Sequence, residues 1–405
     1  MRIAIIGAGL AGLVAGYRLS GQHEVVLFEQ EQEPGGLLSS YRTESYTIER
    51  YYHHFFGSDT ALPALLSDLG LSDAVVWLAG STGSFIQSKI HPLTSPVEIL
   101  LYPYLGFLDK VKLGLFTKKA AKMDMTGLDE ITAREFIHRE LGEAIYRSFF
   151  EPLLVSKFGK NADKVSAAWL LSRVAIRSDR SIAGERLGYL KGGFSVLIDR
   201  LVQVSAQQGC TILTRNPVAR LEHLEKGWKV NGEFFDAVIS TVAPAKLASL
   251  GVSGIPEVPY QGAACMILAL PRDVANGIYW INMNDPAPFG AVISHTNFAP
   301  FSWYGEHLVY VASYFTGEPD PAINDRLIDS FCQSFAVHKE EIIWSRISVD
   351  KYAGPLYLTG YRQYLKEPDI PDLYCAGMFS PENYPERSIE GSIRAAERVI
   401  SRILT

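Results

Sequence analysis

Residues 2–29 read RIAIIGAGLAGLVAGYRLSGQHEVVLFE. The run Ile3-Ala4-Ile5-Ile6 is short, apolar and rich in β-branched residues, the pattern of a strand buried on both faces. Gly7, Gly9 and Gly12 follow in the spacing G-x-G-x-x-G. In that arrangement the first glycine turns the chain off the strand and the second lets a pyrophosphate reach the backbone. The third lets the next helix pack close to the sheet. A helix over 11–20 would offer its N-terminal N–H groups, around Leu10 and Ala11, to the phosphates. A second strand over 24–28 ends at Glu29, 22 residues after Gly7, where a carboxylate is expected to take a ribose hydroxyl. The same charge disfavours a 2′-phosphate. Strand, glycines, helix and acid together point to dinucleotide binding. A glycine-rich turn in an ordinary α/β protein would not need the acid.

A second glycine pair, Gly35-Gly36, follows a polar turn and leads into Leu37. With it the chain resembles the flavoprotein superfamily of phytoene desaturases, protoporphyrinogen oxidases, amine oxidases and UDP-galactopyranose mutases. The resemblance implies FAD as cofactor, with Gly35, Gly36 and Leu37 along its diphosphate and ribityl chain. Lys191-Gly192-Gly193-Phe194 resembles the segment that returns the chain to the FAD domain, after which Val218 is implied at the adenine edge. Residues 372–376 lead to Gly377 and Met378, and a helix opens at Ile389 with Gly391, Ser392 and Ile393. This resembles the family's C-terminal FAD motif, whose helix N-terminus faces the flavin O2. Met378 stands where the family has Asp, so one ribityl or phosphate hydrogen bond of the pattern lacks its usual partner. The implied fold class is α/β, a Rossmann-type FAD-binding domain assembled from separated segments with an inserted α+β substrate domain. The division expected is 1–75, 186–255 and 356–405 for FAD, and 76–185 and 256–355 for substrate.

The chain has 405 residues, 47% of them hydrophobic and 20% charged, enough for two domains of ordinary globular composition. A net charge of −6 without a basic excess argues against a nucleic-acid partner. Cys210, Cys265, Cys332 and Cys375 are far apart and read as reduced thiols of a cytoplasmic protein. A strand starting at residue 2 leaves no room for a leader peptide, and no run of about 18 apolar residues predicts a transmembrane helix. Residues 96–122 mix large apolar side chains with Lys110, Lys112, Lys118, Lys119 and Lys122. They read either as the helical wall of a substrate domain or as a surface peripheral to the inner face of the membrane. The sequence does not give the oligomeric state.

His53 and His54 sit in an aromatic stretch, 46–56, that in the resembling family leads to the flavin ring. If that stretch is a strand, alternation turns one ring toward the cofactor and the other away. One of the two is then a candidate to tune turnover near neutral pH; the alternative is one packed and one solvated ring. No carboxylate or cysteine lies at ligand spacing, so no metal site is expected. Smaller expectations are a capping box at Thr132 and Glu135, one strand over 84–91 and another over 217–221. The resemblance implies hydride removal by FAD from an apolar small molecule, isoprenoid or porphyrin-like. The second reading is a redox-neutral mutase acting on a sugar nucleotide, for which Arg173, Arg177 and Arg180 are candidate diphosphate ligands. A third class is a non-catalytic or membrane-tethered flavoprotein scaffold. Lys351 is a lysine near an aromatic strand without an assigned place at the flavin.

Overall fold

The computed structural model describes residues 1–176 and 185–405. Arg2–Ile6 is the middle strand of a five-stranded parallel sheet, in the order Thr211–Leu213, Glu24–Phe28, Arg2–Ile6, Ala237–Ser240, Leu373–Cys375. Ile3 pairs with Val25 on one side and Ala237 on the other. Alternation sorts its side chains between two cores. Ile3 and Ile5 pack under the helices Leu10–Leu19, Ser195–Gln207 and Ile389–Leu404. Ala4 and Ile6 pack against an antiparallel meander of Leu221–His223, Trp228–Val230 and Glu233–Phe235. Both faces of a parallel sheet need such cover, which is why these strands read as continuous apolar runs.

A second sheet has seven strands, ordered Trp344–Pro355, Tyr260–Leu270, His307–Phe315, Ala291–Ser294, Trp280–Met283, Thr82–Ile86, Lys89–Pro92. Its neighbours are antiparallel except Trp280–Met283 beside Thr82–Ile86. Helix Ile323–Phe335 covers one face through Leu327, Phe331 and Phe335. A helical lobe between the sheets, including Phe107–Ala120, Ala133–Glu140, Glu151–Phe158 and Ala167–Ala175, has its own core around Phe116, Phe136, Phe150 and Leu170. The capping box at Thr132 and Glu135 is present, and the four cysteines are unpaired.

Two expectations need correction. The strand expected over 84–91 is a hairpin that turns at Gln87 and Ser88, both at positive φ, with each N–H donating to Asp285 at 2.8 Å. The strand expected over 217–221 pairs only as Leu221–His223. The segment before it runs beside the sheet edge, with the N–H of Arg215 on Glu31 O and that of Asn216 on Glu29 O. Pro217 has no N–H for a ladder, which ends pairing there.

Candidate active site

Two glycine motifs meet at the C-terminal edge of the parallel sheet. Gly12 lies so close to the turn that a Cβ there would sit 2.0 Å from the Gly7 carbonyl oxygen. Gly9 is the opposite case, because nothing lies within 4 Å of the Cβ it lacks and that side opens into a cavity. Gly35 and Gly36 both have positive φ, +130° and +55°, and lie against this turn. The Gly35 N–H donates to Ala8 O at 2.8 Å, and a Cβ on Gly36 would come 3.1 Å from the Gly9 Cα. The glycine pair and the first glycine motif are one backbone cradle. The first N–H groups of helix Leu10–Leu19, those of Leu10 and Ala11, have no intrahelical partner and stand at its rim.

Glu29 is buried, with Oε2 accepting the Ala8 N–H at 2.7 Å and Oε1 the Glu31 N–H at 2.9 Å. Each oxygen keeps a lone pair for a hydroxyl donor. Leu37 and Val218 line the same end of the cavity, Val218 on the loop that Glu29 and Glu31 anchor. Gly377, Met378 and Ser392 line it from the C-terminal motif, together with Ile389. Gly391 and Ile393, expected at the cofactor, do not. The Gly391 N–H is taken by the capping Ser388 Oγ at 2.8 Å, and Ile393 is wholly buried in helix packing. The cradle fits a dinucleotide by its shape, its open Gly9 face and its acid. Among the described residues no cluster of His, Cys, Asp or Glu could hold a metal ion.

Residues 51–54 belong to no strand, since the short hairpin Ser40–Arg42 with Thr47–Glu49 ends at Glu49. Strict alternation therefore fails, and both His53 and His54 line the cavity. His53 Nδ1 is 2.7 Å from Tyr51 O, and His54 Nδ1 is 3.1 Å from Tyr279 Oη. A carbonyl only accepts, so His53 carries its proton on Nδ1 and presents Nε2 as an acceptor. Burial pushes the His53 imidazolium down to about 4, against the raising effect of the Tyr51 carbonyl. This favours the neutral ring, which leaves His53 a hydrogen-bond acceptor at Nε2.

Glu49, which the sequence reading passed over, is the buried joint of the site. Its carboxylate accepts the Phe194 N–H at 2.6 Å and the Tyr189 hydroxyl at 2.8 Å, while its carbonyl accepts the Tyr310 hydroxyl at 2.7 Å. Burial pushes its carboxyl up. A Cβ on Gly193 would sit 2.6 Å from Glu49 Oε1, so the glycine pair before Phe194 serves to let this acid in. An acid two residues before an aromatic run, with a distant G-G-aromatic segment, was the available signal.

The cradle continues into a chamber between the seven-stranded sheet and the helical lobe. Together they form one cavity of about 1680 Å³. A pocket for a single small ligand holds about 300–1,000 Å³, so there is room for a dinucleotide and a second molecule. The chamber wall includes Tyr52, Tyr260, Tyr314, Trp169 and Trp280, with the Tyr52 and Tyr314 hydroxyls 2.7 Å apart. A π-helical turn at Tyr146–Phe150 brings Ser148 and Phe149 to the wall. Lys351 lies elsewhere, exposed and paired with Glu318. Arg173 lines the chamber; Arg177 and Arg180 lie outside the described residues.

The model of the family described as flavin containing amine oxidoreductase matches residues 10–404. The coproporphyrinogen III oxidase of Staphylococcus aureus is 30% identical over 177 residues, 40% of this chain and 38% of that protein. That of Mycobacterium bovis is 27% identical over 306 residues, 67% of this chain and 65% of that protein. The chain thus spans less than two thirds of either relative's length. A crystal structure of reduced UDP-galactopyranose mutase aligns with a TM-score of 0.76 and 17% identity, over 100% of this chain and 95% of the other. At that identity the likeness speaks for the fold alone. The chain belongs to the flavin containing amine oxidoreductase family.

Proposed function

We propose that this protein is an FAD-dependent oxidoreductase that removes hydride from a largely apolar, ring-bearing small molecule of the porphyrinogen kind. The observation that carries the reading is the continuity of glycine cradle and aromatic chamber in one cavity of about 1680 Å³. The relatives named as coproporphyrinogen III oxidases support the substrate class. FAD, when bound, supplies the acceptor for the hydride and its electron pair. Gly7, Gly9, Gly35 and Gly36, with the N–H groups of Leu10 and Ala11, hold the diphosphate. Glu29 takes the ribose and Val218 the adenine edge. Gly377, Met378 and Ser392 meet the opposite end, and Gly12, Gly391 and Ile393 hold the two helices that frame it. His53 orients the substrate by accepting a hydrogen bond at Nε2, and the aromatic walls exclude water. The division into FAD segments 1–75, 186–255 and 356–405 and substrate segments 76–185 and 256–355 belongs to the same proposal.

Helices Pro96–Leu101 and Phe107–Ala120 carry exposed Leu101, Phe107 and Leu108, at 76%, 70% and 73% exposure, beside the five lysines. Leu100, Lys110, Val111 and Lys118 of the same patch line the cavity mouth. This favours entry of an apolar substrate from an anionic membrane surface. Among the described residues no helix is long and apolar enough to cross a membrane. The test is anaerobic titration of the oxidised holoprotein with coproporphyrinogen III. Loss of the flavin's blue absorbance is expected under anaerobic conditions, and the porphyrin Soret band only after oxygen is admitted to reoxidise the flavin, because one flavin accepts a single hydride and the porphyrinogen must give up several. Flavin that stays oxidised beside an excess of the porphyrinogen would refute the substrate class.

A further inference from the structure

Deep in the chamber the wall carries more positive than negative charge. Lys157, Arg173 and Arg387 line it together with Glu386. Glu386 is engaged by Lys157, with Nζ 3.4 Å from Oε1, and Lys157 also lies 4.7 Å from the Trp169 ring centre. Arg387 is placed by a different device. Its guanidinium lies flat on the backbone of Gly354, where a Cβ would sit 2.5 Å from Cζ. The groups that feel its charge include Glu386, Lys157, His53, Tyr314 and Tyr52. A guanidinium has five N–H donors, and among the described residues none of those on Arg387 meets a protein acceptor. Among the described residues Arg173 meets none either. Asp350, another acid of the cavity wall, accepts the Tyr352 N–H at 2.7 Å. Burial pushes the Lys157 ammonium down to about 7. Glu386 and Asp350 are the acids of this wall, but neither forms an ion pair with either guanidinium among the described residues, and an enclosed cation is costly until an anion meets it.

We infer that Arg387, with Arg173 and Lys157 beside it, binds an oxyanionic group of the substrate, a carboxylate or a phosphate. This rests on the proposed function only in placing the substrate in this chamber. The planar, fixed guanidinium suits two parallel N–H···O bonds to such a group. The apolar body of the substrate would lie toward the aromatic wall and the cradle, so the anion fixes which carbon faces the cofactor. Arg387 is a specificity-determining residue.

The experiment measures equilibrium binding to the oxidised holoprotein, without turnover. The probes are coproporphyrin III against its methyl ester, and farnesyl phosphate against farnesol. At least one acid is expected to bind roughly tenfold or more tighter than its uncharged partner, the scale of a charge-assisted contact. A porphyrin preference identifies a carboxylate site and a prenyl preference a phosphate site. Arg387→Gln should erase the preference while leaving the uncharged partner's affinity alone. Gly354→Ala, which keeps the charge but pushes the guanidinium from its seat, should reduce the preference and serves if Arg387→Gln does not fold. Equal binding of charged and uncharged partners, no binding by any of these probes, or a preference that survives both variants overturns the inference. A holoprotein that shows the preference but is not reduced by porphyrinogen would instead count against the proposed function.

Discussion

The two ends of the cavity are built from different material. The cradle is backbone: Gly7, Gly9, Gly35 and Gly36 approach one another within hydrogen-bond and van der Waals distance, and Glu29 holds the Ala8 N–H from behind. The chamber is side chain, assembled from Tyr52, Lys157, Arg173, Tyr260, Tyr314 and Arg387, which come from six different elements or loops. A site made of backbone needs residues of one kind at fixed short spacing. A site made of side chains needs only that the fold bring distant positions together. The first can hold a cofactor common to a family, while the second is free to differ between members.

That contrast can be broken in several places. Gly9→Val is expected to have the largest effect, abolishing FAD binding while leaving the fold intact, because the added side chain enters open cavity rather than packed protein. An FAD titration with a melting curve reads both. Glu49→Ala comes next, since it strands the Phe194 N–H and the Tyr189 hydroxyl in the core at about 1–3 kcal/mol for each lost partner. It should lower stability. Glu49→Gln keeps an acceptor and should lose less, as denaturant unfolding would show. Glu29→Ala should weaken FAD binding by roughly 1–3 kcal/mol and leave ligand binding in the chamber unchanged; calorimetry on the apoprotein checks it.

His53 offers a smaller, pH-dependent test on the chamber side. Its ordinary value is 6.5 and its folded value about 4, so the unfolded chain binds the proton first. Stability is therefore fully present above about pH 6.5 and is lost as pH falls toward 4. His53→Gln should flatten that slope in urea unfolding at successive pH values. The same substitution should slow flavin reduction by roughly 10²-fold at most, without abolishing it. The smallest effect concerns the mouth. Flotation with anionic vesicles should be lost in high salt and weakened by Leu101→Ser with Leu108→Ser, with FAD binding untouched.

The division between backbone and side chain also explains what could be read in advance. Residues 2–29 announced strand, turn, helix, strand and acid in order because each step has its own local chemistry. The final helix was legible at Ile389 for the same reason. The hairpin at Gln87 and Ser88 was not, because its turn depends on Asp285, about 200 residues away. His53 and His54 were found by their company of aromatics, but alternation misplaced them because the strand ends at Glu49. Arg387 was invisible to sequence reading. Its seat is a glycine on a distant strand, and nothing around residues 385–388 marks it as facing a cavity.

The most direct test of the account sets Gly9→Val and Arg387→Gln side by side in one FAD titration of the apoproteins, followed by flavin absorbance. Wild type and Arg387→Gln should take up FAD with matching affinity and turn yellow, while Gly9→Val stays colourless. Loss of FAD in both variants, or its retention in both, would contradict a cavity with a backbone cradle for the cofactor and a separate side-chain chamber for the substrate.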